Sequence, residues 1–92
     1  MDLTHSERSI SIGDTMVTVR ADSGPMAARW RVQVDGRDVT ETQILKGDRT
    51  LRAILPDGSN VDVEVRQSAL GPTAVTIRHE GVVVADYASF VA

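Results

Sequence analysis

The chain has 92 residues, no cysteine and a formal net charge of −3, with 41% hydrophobic and 25% charged residues. That length provides one domain with a modest core, and the lack of cysteine excludes disulfides, thiol nucleophiles and cysteine-bound zinc. The acidic balance argues against non-specific nucleic-acid binding, which needs a concentrated basic surface.

The N-terminal segment MDLTHSE is polar and aperiodic, which is not the pattern of a signal peptide. It predicts a flexible tail over residues 1–7 and leaves residues 8–92 as a single domain. The longest apolar run, residues 82–85, is much too short to cross a bilayer. We therefore expect a cytoplasmic protein that does not bind membranes.

The first predicted hairpin follows from a period of two in the sequence. Polar and apolar residues alternate over residues 8–12 and again over residues 15–20, as is typical of strands with one buried face. Gly13-Asp14 between them indicates a type II′ turn, in which the first central residue takes a positive φ. This turn pairs Ile10 with Val17 and places both on the core side.

The second hairpin contains the only tryptophan. Trp30 lies in phase with Val32 and Val34, so we expect all three side chains in the core. Asp35-Gly36 is a strong hairpin signal, because both central residues of a type I′ turn need a positive φ. The turn predicts Val32 opposite Val39, and the less regular return strand predicts a β-bulge.

Two further hairpins are predicted in the second half of the chain. The loop between Leu55 and Val61 places these two residues opposite each other and keeps the alternating apolar residues on one face. Glu80-Gly81 is a turn before the last strand, and it places Ile77 opposite Val84. About eight strands at short, regular spacing, without a helical segment, predict an all-β domain.

A series of hairpins has to stack or close to bury its apolar face. We therefore expect an antiparallel β-sandwich of about eight strands with mostly sequential connections. A small barrel is the alternative.

The sequence contains no pattern of a catalytic or metal site. His5 and His79 match no ligand spacing, so we expect no metal and no cofactor. Residues 57–60 superficially resemble a calcium loop, but the acidic ligands at fixed offsets are missing, which favours an ordinary turn. Asp62 and Glu64 share one strand face, where a solvated polar surface is a better interpretation than an acid–base pair. We expect the chain not to be an enzyme.

The candidate interaction surface is an apolar row on the last strand. If Ile77 and Val84 face inward, the alternate side chains of that strand face outward, and an exposed row is costly to leave in water. The alternative is a last strand that is buried on both sides or covered by the tail. Two arginines beside Trp30 face outward and can pair with a partner's carboxylates, or they are simply solvated. The predicted surface residues are Val83, Ala85, Tyr87, Phe90, Arg29 and Arg31.

The segment RWRVQVDGR, residues 29–37, resembles the strand and turn of the Fas apoptotic inhibitory molecule family. Gly47 before a short strand, VDVEV at residues 61–65, a loop with Gly71, and TIRHEG at residues 76–81 are similar to later blocks of one repeat of that family. The resemblance implies a compact antiparallel β-sandwich and a non-enzymatic, protein-binding role in the cytosol. The family usually carries two such domains, and this chain has room for one.

Three classes of function follow from these patterns. The leading hypothesis is a non-enzymatic interaction module that binds a protein partner or forms a weak homodimer, and does not bind nucleic acid. A small-ligand or carbohydrate-binding β-domain is the main alternative, and it predicts a concave pocket with Trp30 or Tyr87. An accessory domain of an enzyme predicts converging titratable groups.

Overall fold

A computed structural model of the chain describes residues 5–22, 27–44, 47–67 and 73–90. The strands are β1 (His5–Ile12), β2 (Thr15–Asp22), β3 (Ala28–Val34), β4 (Arg37–Ile44), β5 (Gly47–Ile54), β6 (Asn60–Gln67), β7 (Thr73–His79) and β8 (Val82–Phe90). They form two antiparallel four-stranded sheets, ordered β1-β2-β3-β4 and β5-β6-β7-β8.

This arrangement confirms the predicted all-β fold with sequential hairpins, and it is consistent with a β-sandwich. β1 begins at His5, so residues 5–7 belong to a strand that the sequence pattern placed in the tail. Residues 1–4 of that predicted tail lie outside the described residues. Within the described ranges no helix is long and apolar enough to span a membrane.

The two-residue turns have the backbone angles that their sequences predict. Gly13 has a φ of 61° and Asp14 is not among the residues with positive φ, as in a type II′ turn. Asp35 and Gly36 both have positive φ, at 50° and 85°, as in a type I′ turn. Ile10 pairs with Val17 as predicted.

The core lies between the two sheets and is built from alternate residues of the central strands. Trp30 of β3 is fully buried, as predicted, and its ring centroid lies 5.2 Å from that of Phe90 in the other sheet. The indole Nε1 of Trp30 donates a hydrogen bond to Gln67 Oε1 of β6, at 3.2 Å. The other fully buried side chains include Val17, Val19, Val32, Val61, Val63, Val65, Val75 and Ile77.

The two sheets also approach each other along both pairs of edge strands. At one side, the hydroxyl of Thr40 in β4 donates to the backbone carbonyl of Arg52 in β5, at 2.8 Å. At the other side, the guanidinium of Arg8 in β1 lies over the rings of Tyr87 and Phe90 in β8. Side chains therefore close both seams between the sheets.

A bulge in β4 overturns the predicted pairing of Val32 with Val39. Val32 lies opposite Thr40, because the register shifts between Val32 and Gln33. Without the extra residue, Glu41 would fall on the core side of β4 and Ile44 on the outside. The bulge instead buries Ile44 and leaves Val39 exposed, since burying an unpaired carboxylate costs far more than exposing a valine.

The pairing predicted between Leu55 and Val61 is also wrong, although the predicted face is correct. Ala53 lies opposite Val61, which is a shift of two residues and so keeps the same side chains inside. Leu55 belongs to the loop: its N–H donates to the Ser59 carbonyl and its carbonyl accepts from the Gly58 N–H. The loop therefore covers residues 55–59.

Candidate functional site

The outer face of the first sheet carries arginines that are paired within the sheet. Arg31 Nη2 lies 2.6 Å from Asp22 Oδ2, and this hydrogen bond holds the pKa of Asp22 below its usual value. Arg29 Nε lies 3.1 Å from Glu41 Oε2. Arg29 and Arg31 face outward as predicted, but carboxylates of the same sheet already pair with both of them.

The outer face of the second sheet is organised in the same way. Arg52 Nε lies 2.7 Å from Asp62 Oδ1, and Arg78 Nε lies 2.9 Å from Glu64 Oε2. Hydrogen bonding and the nearby charge of Asp62 raise the pKa of Arg52. Each carboxylate of the Asp62 and Glu64 pair therefore has its own arginine, which supports a solvated polar face rather than an acid–base pair.

Asp57, Ser59 and His79 contact one another at the turn end of the second sheet. The Ser59 hydroxyl donates to Asp57 Oδ1 at 2.6 Å, so its single proton is used there. Since His79 Nε2 lies 2.8 Å from the same hydroxyl oxygen, the ring nitrogen has to be the donor. A protonated Nε2 cannot remove a proton from Ser59, so this order of contacts differs from that of a hydrolase triad.

The same contacts stabilise the loop. Hydrogen bonds from the Ser59 side chain and backbone lower the pKa of the Asp57 carboxyl. Glu80 accepts from the Asn60 N–H at 2.5 Å and ties the loop to the turn between β7 and β8. Among the residues with described positions, no group of three histidine, cysteine or acidic side chains is arranged to hold a metal ion.

The predicted register of the last hairpin is wrong. Ile77 lies opposite Ala85, not Val84, because β8 has an irregularity at this point. Without the bulge, Asp86 would lie opposite Val75 on the core side; with it, Asp86 lies opposite Thr76 and accepts a hydrogen bond from the Thr76 hydroxyl, at 2.9 Å. The cost of burying a carboxylate explains the bulge.

The correction changes which predicted surface residues are exposed. Ala85 and Tyr87 are partly buried against the core. Phe90 is only 2% exposed and belongs to the core, because a second irregularity between Thr73 and Val75 places it opposite Thr73. Val83 remains outside, as predicted. The row of outward residues expected from Val83 to Phe90 is therefore not present.

Three consecutive valines at the start of β8 form the exposed apolar surface instead. Val82, Val83 and Val84 are 66%, 47% and 43% exposed. Val83 lies opposite Arg78 on the outer face, and Val84 is the extra residue of the bulge. Val82 lies opposite His79, next to the turn, where it is exposed at the end of the sheet. We call these three residues the β8 valine patch. It lies on the last strand of its sheet, and edge strands present unpaired backbone groups.

Arg8 lies next to this strand and was not singled out by the sequence pattern. It pairs with Val19, so it occupies a core-facing position of the edge strand β1. Its guanidinium carbon lies 5.7 Å from the centroid of the Tyr87 ring and 5.4 Å from that of Phe90. In the sequence, Arg8 is in phase with Ile10, and this alternation alone predicts a charged residue on the inward side of β1.

A groove at the turn end of the molecule has a volume of about 430 Å³ and is lined by Val34, Asp35, Arg37, Val39, Ile54 and Pro56. It contains neither Trp30 nor Tyr87, which the ligand-binding alternative requires. Trp30 is fully buried, so it has no free ring face for stacking on a sugar.

Comparisons with protein-family models, curated proteins and solved structures found no match to this chain. The resemblance to the Fas apoptotic inhibitory molecule family therefore stays a prediction.

Proposed function

We propose that the chain is a non-enzymatic protein-interaction module that binds an extended segment of another protein along the edge of β8. The observation that carries this proposal is the β8 valine patch. Exposed apolar area costs about 25 cal/mol per Å² in water, and an edge strand offers backbone donors and acceptors to an added strand.

The composition of the edge supports the same conclusion. No charged residue lies between Glu80 and Asp86, whereas edge strands that avoid pairing often carry lysine or proline. An added strand can cover the valines and satisfy the edge backbone in one step. A cytosolic location and a protein-binding role, as the family resemblance implies, belong to this proposal.

The experiment compares two charged variants of the same kind. Val82→Lys combined with Val84→Lys places two charges on the β8 edge, and Ile54→Lys is the matched control because Ile54 is 64% exposed on β5. A displayed library of random peptides is selected on the wild-type protein. We expect the enriched peptides to bind the control normally and to lose at least about tenfold in affinity for the β8 variant.

Circular dichroism checks that both variants keep their strand content. Peptides that bind the β8 variant as tightly as the wild type would show that the edge is not the binding surface.

A small-ligand-binding function is the second candidate, and the groove beside Val39 and Ile54 is its support. Its volume of about 430 Å³ falls in the range of ligand pockets. If this function is correct, Ile54→Lys abolishes binding of a small apolar ligand found by thermal-shift screening. The β8 variant would then bind that ligand normally.

A further inference from the structure

Arg8 has a charge that no carboxylate of the described residues neutralises. Six of the nine arginines form ion pairs within the chain, whereas Arg8, Arg37 and Arg49 form none with a described residue. The one hydrogen bond of the Arg8 guanidinium to a described residue runs from Nη1 to the Glu7 carbonyl, at 3.1 Å. Arg8 is exposed, so its remaining N–H donors are open to a ligand.

Arg8 differs from the other two unpaired arginines because aromatic rings hold it in place. Its guanidinium lies 5.4 Å from the centroid of Phe90 and 5.7 Å from that of Tyr87, a geometry that favours a cation over a π-face. Phe90 is itself fixed against Trp30 in the core. A guanidinium held in this way loses less conformational freedom when it binds a carboxylate.

Arg8 is also placed at the edge where we propose that a strand is added. Tyr87, under its guanidinium, follows Val83 by four residues, which corresponds to about 13 Å along a strand. A segment that covers the β8 valine patch therefore passes beside Arg8 if it continues along β8 for about three more residues. The site combines an apolar part and a single positive charge.

We propose that the segment bound by β8 is an extended peptide with apolar residues over the valine patch and one aspartate or glutamate that pairs with Arg8. This inference rests on the proposed function. The net charge of −3 disfavours a strongly acidic partner, so specificity comes from one placed carboxylate. A second copy of the chain fits less well, because Asp86 lies opposite Thr76 on the outer face, away from the side that Arg8 occupies.

The experiment uses the peptides enriched from the displayed library on the wild-type protein. We expect an Asp or Glu at a fixed spacing from the apolar residues. Arg8→Gln lowers the affinity of such a peptide about fivefold, and replacing the peptide's acidic residue by its amide has the same effect on the wild type. The two changes together cost no more than either alone, as for groups that contact each other.

Arg49→Gln is the matched control, because Arg49 also lacks a carboxylate partner among the described residues but lies on β5, and it leaves peptide affinity unchanged. Equal affinity of the enriched peptides for Arg8→Gln and wild type overturns the inference. If those peptides still lose affinity for the β8 lysine variant, the proposed function stands without it.

If no enriched peptide is sensitive to the β8 lysine variant, both proposals fail. Sedimentation velocity of the wild type tests whether a second copy of the chain occupies the β8 edge. Self-association that the β8 lysine variant removes would identify a second copy as the occupant of the edge and would overturn the acidic-peptide proposal.

Discussion

Ile77 lies opposite Ala85, and this pairing determines which face of β8 meets the solvent. The turn at Glu80-Gly81 would by itself place Ile77 opposite Val84. The bulge moves Ala85 and Tyr87 towards the core and leaves Val84 without a partner in the ladder, whereas Val82 and Val83 keep the partners that the turn gives them. The exposure of Val84, which extends the surface that we propose, therefore results from the same irregularity that keeps Asp86 out of the core.

Deletion of Val84 tests this role of the bulge. The deletion removes the extra residue, so Ala85 stays opposite Ile77 and Asp86 stays opposite Thr76 in a regular ladder. We expect the free energy of unfolding to change by less than about 1 kcal/mol, because no carboxylate becomes buried and Val84 is 43% exposed. Ala85→Asp is the contrasting variant: it places a carboxylate opposite Ile77 on the core side and costs about 1–3 kcal/mol or more. A loss of stability in urea for the deletion variant as large as that of Ala85→Asp would refute this explanation of the bulge.

Trp30→Ala tests the core. The substitution removes the indole that packs against Phe90 and donates to Gln67. We expect a loss of about 3–5 kcal/mol, which is a large part of the stability of a small domain. Chemical denaturation followed by circular dichroism measures it. A loss under about 1 kcal/mol is typical of surface positions and would contradict the burial of Trp30.

The ion pair of Asp22 with Arg31 predicts a dependence of stability on pH. Arg31 holds the pKa of Asp22 below its usual value in the folded state, so the folded protein binds fewer protons at this site than the unfolded chain does. The pair therefore stabilises the fold above the unfolded pKa of about 3.9, and this contribution is lost as the pH falls through the lower folded value.

Asp22→Asn removes this part of the acid sensitivity. We expect the urea midpoint of the variant to fall less than that of the wild type when the pH is lowered below about 4. Some sensitivity remains, because the pKa of Asp57 is lowered as well. Asp48→Asn is the control, since Asp48 forms no ion pair with a described residue. Parallel pH profiles for Asp22→Asn and wild type would show that this pair does not contribute.

The sequence predicted the strands, the turns and the buried position of Trp30, because these depend on neighbouring residues. Turn chemistry and alternation are local signals. The errors occur where a turn favours one register and a residue farther along the strand favours another. Val39 and Val84 are displaced because Ile44 has to be buried and Asp86 has to stay outside, so each bulge is a compromise between distant positions.

The candidate site was predicted only in part, for a related reason. Val83 was identified on the correct strand, but the exposure of Val84 depends on the bulge and that of Val82 on its place beside the turn. Arg8 was missed because the rings that hold it belong to the opposite end of the chain. Likewise, the carboxylate that binds Arg31 lies on a neighbouring strand, and one strand read alone does not show it.

Amide hydrogen exchange of β8 tests the central claim most directly. In the free protein, the N–H groups on the outer edge of β8 exchange rapidly, because no strand formed by the described residues lies beyond them in the sheet. We predict that a peptide enriched on the wild-type protein slows exchange at alternate residues of β8, as main-chain hydrogen bonds of an added strand require. Unchanged exchange in β8 with saturating peptide would contradict the account.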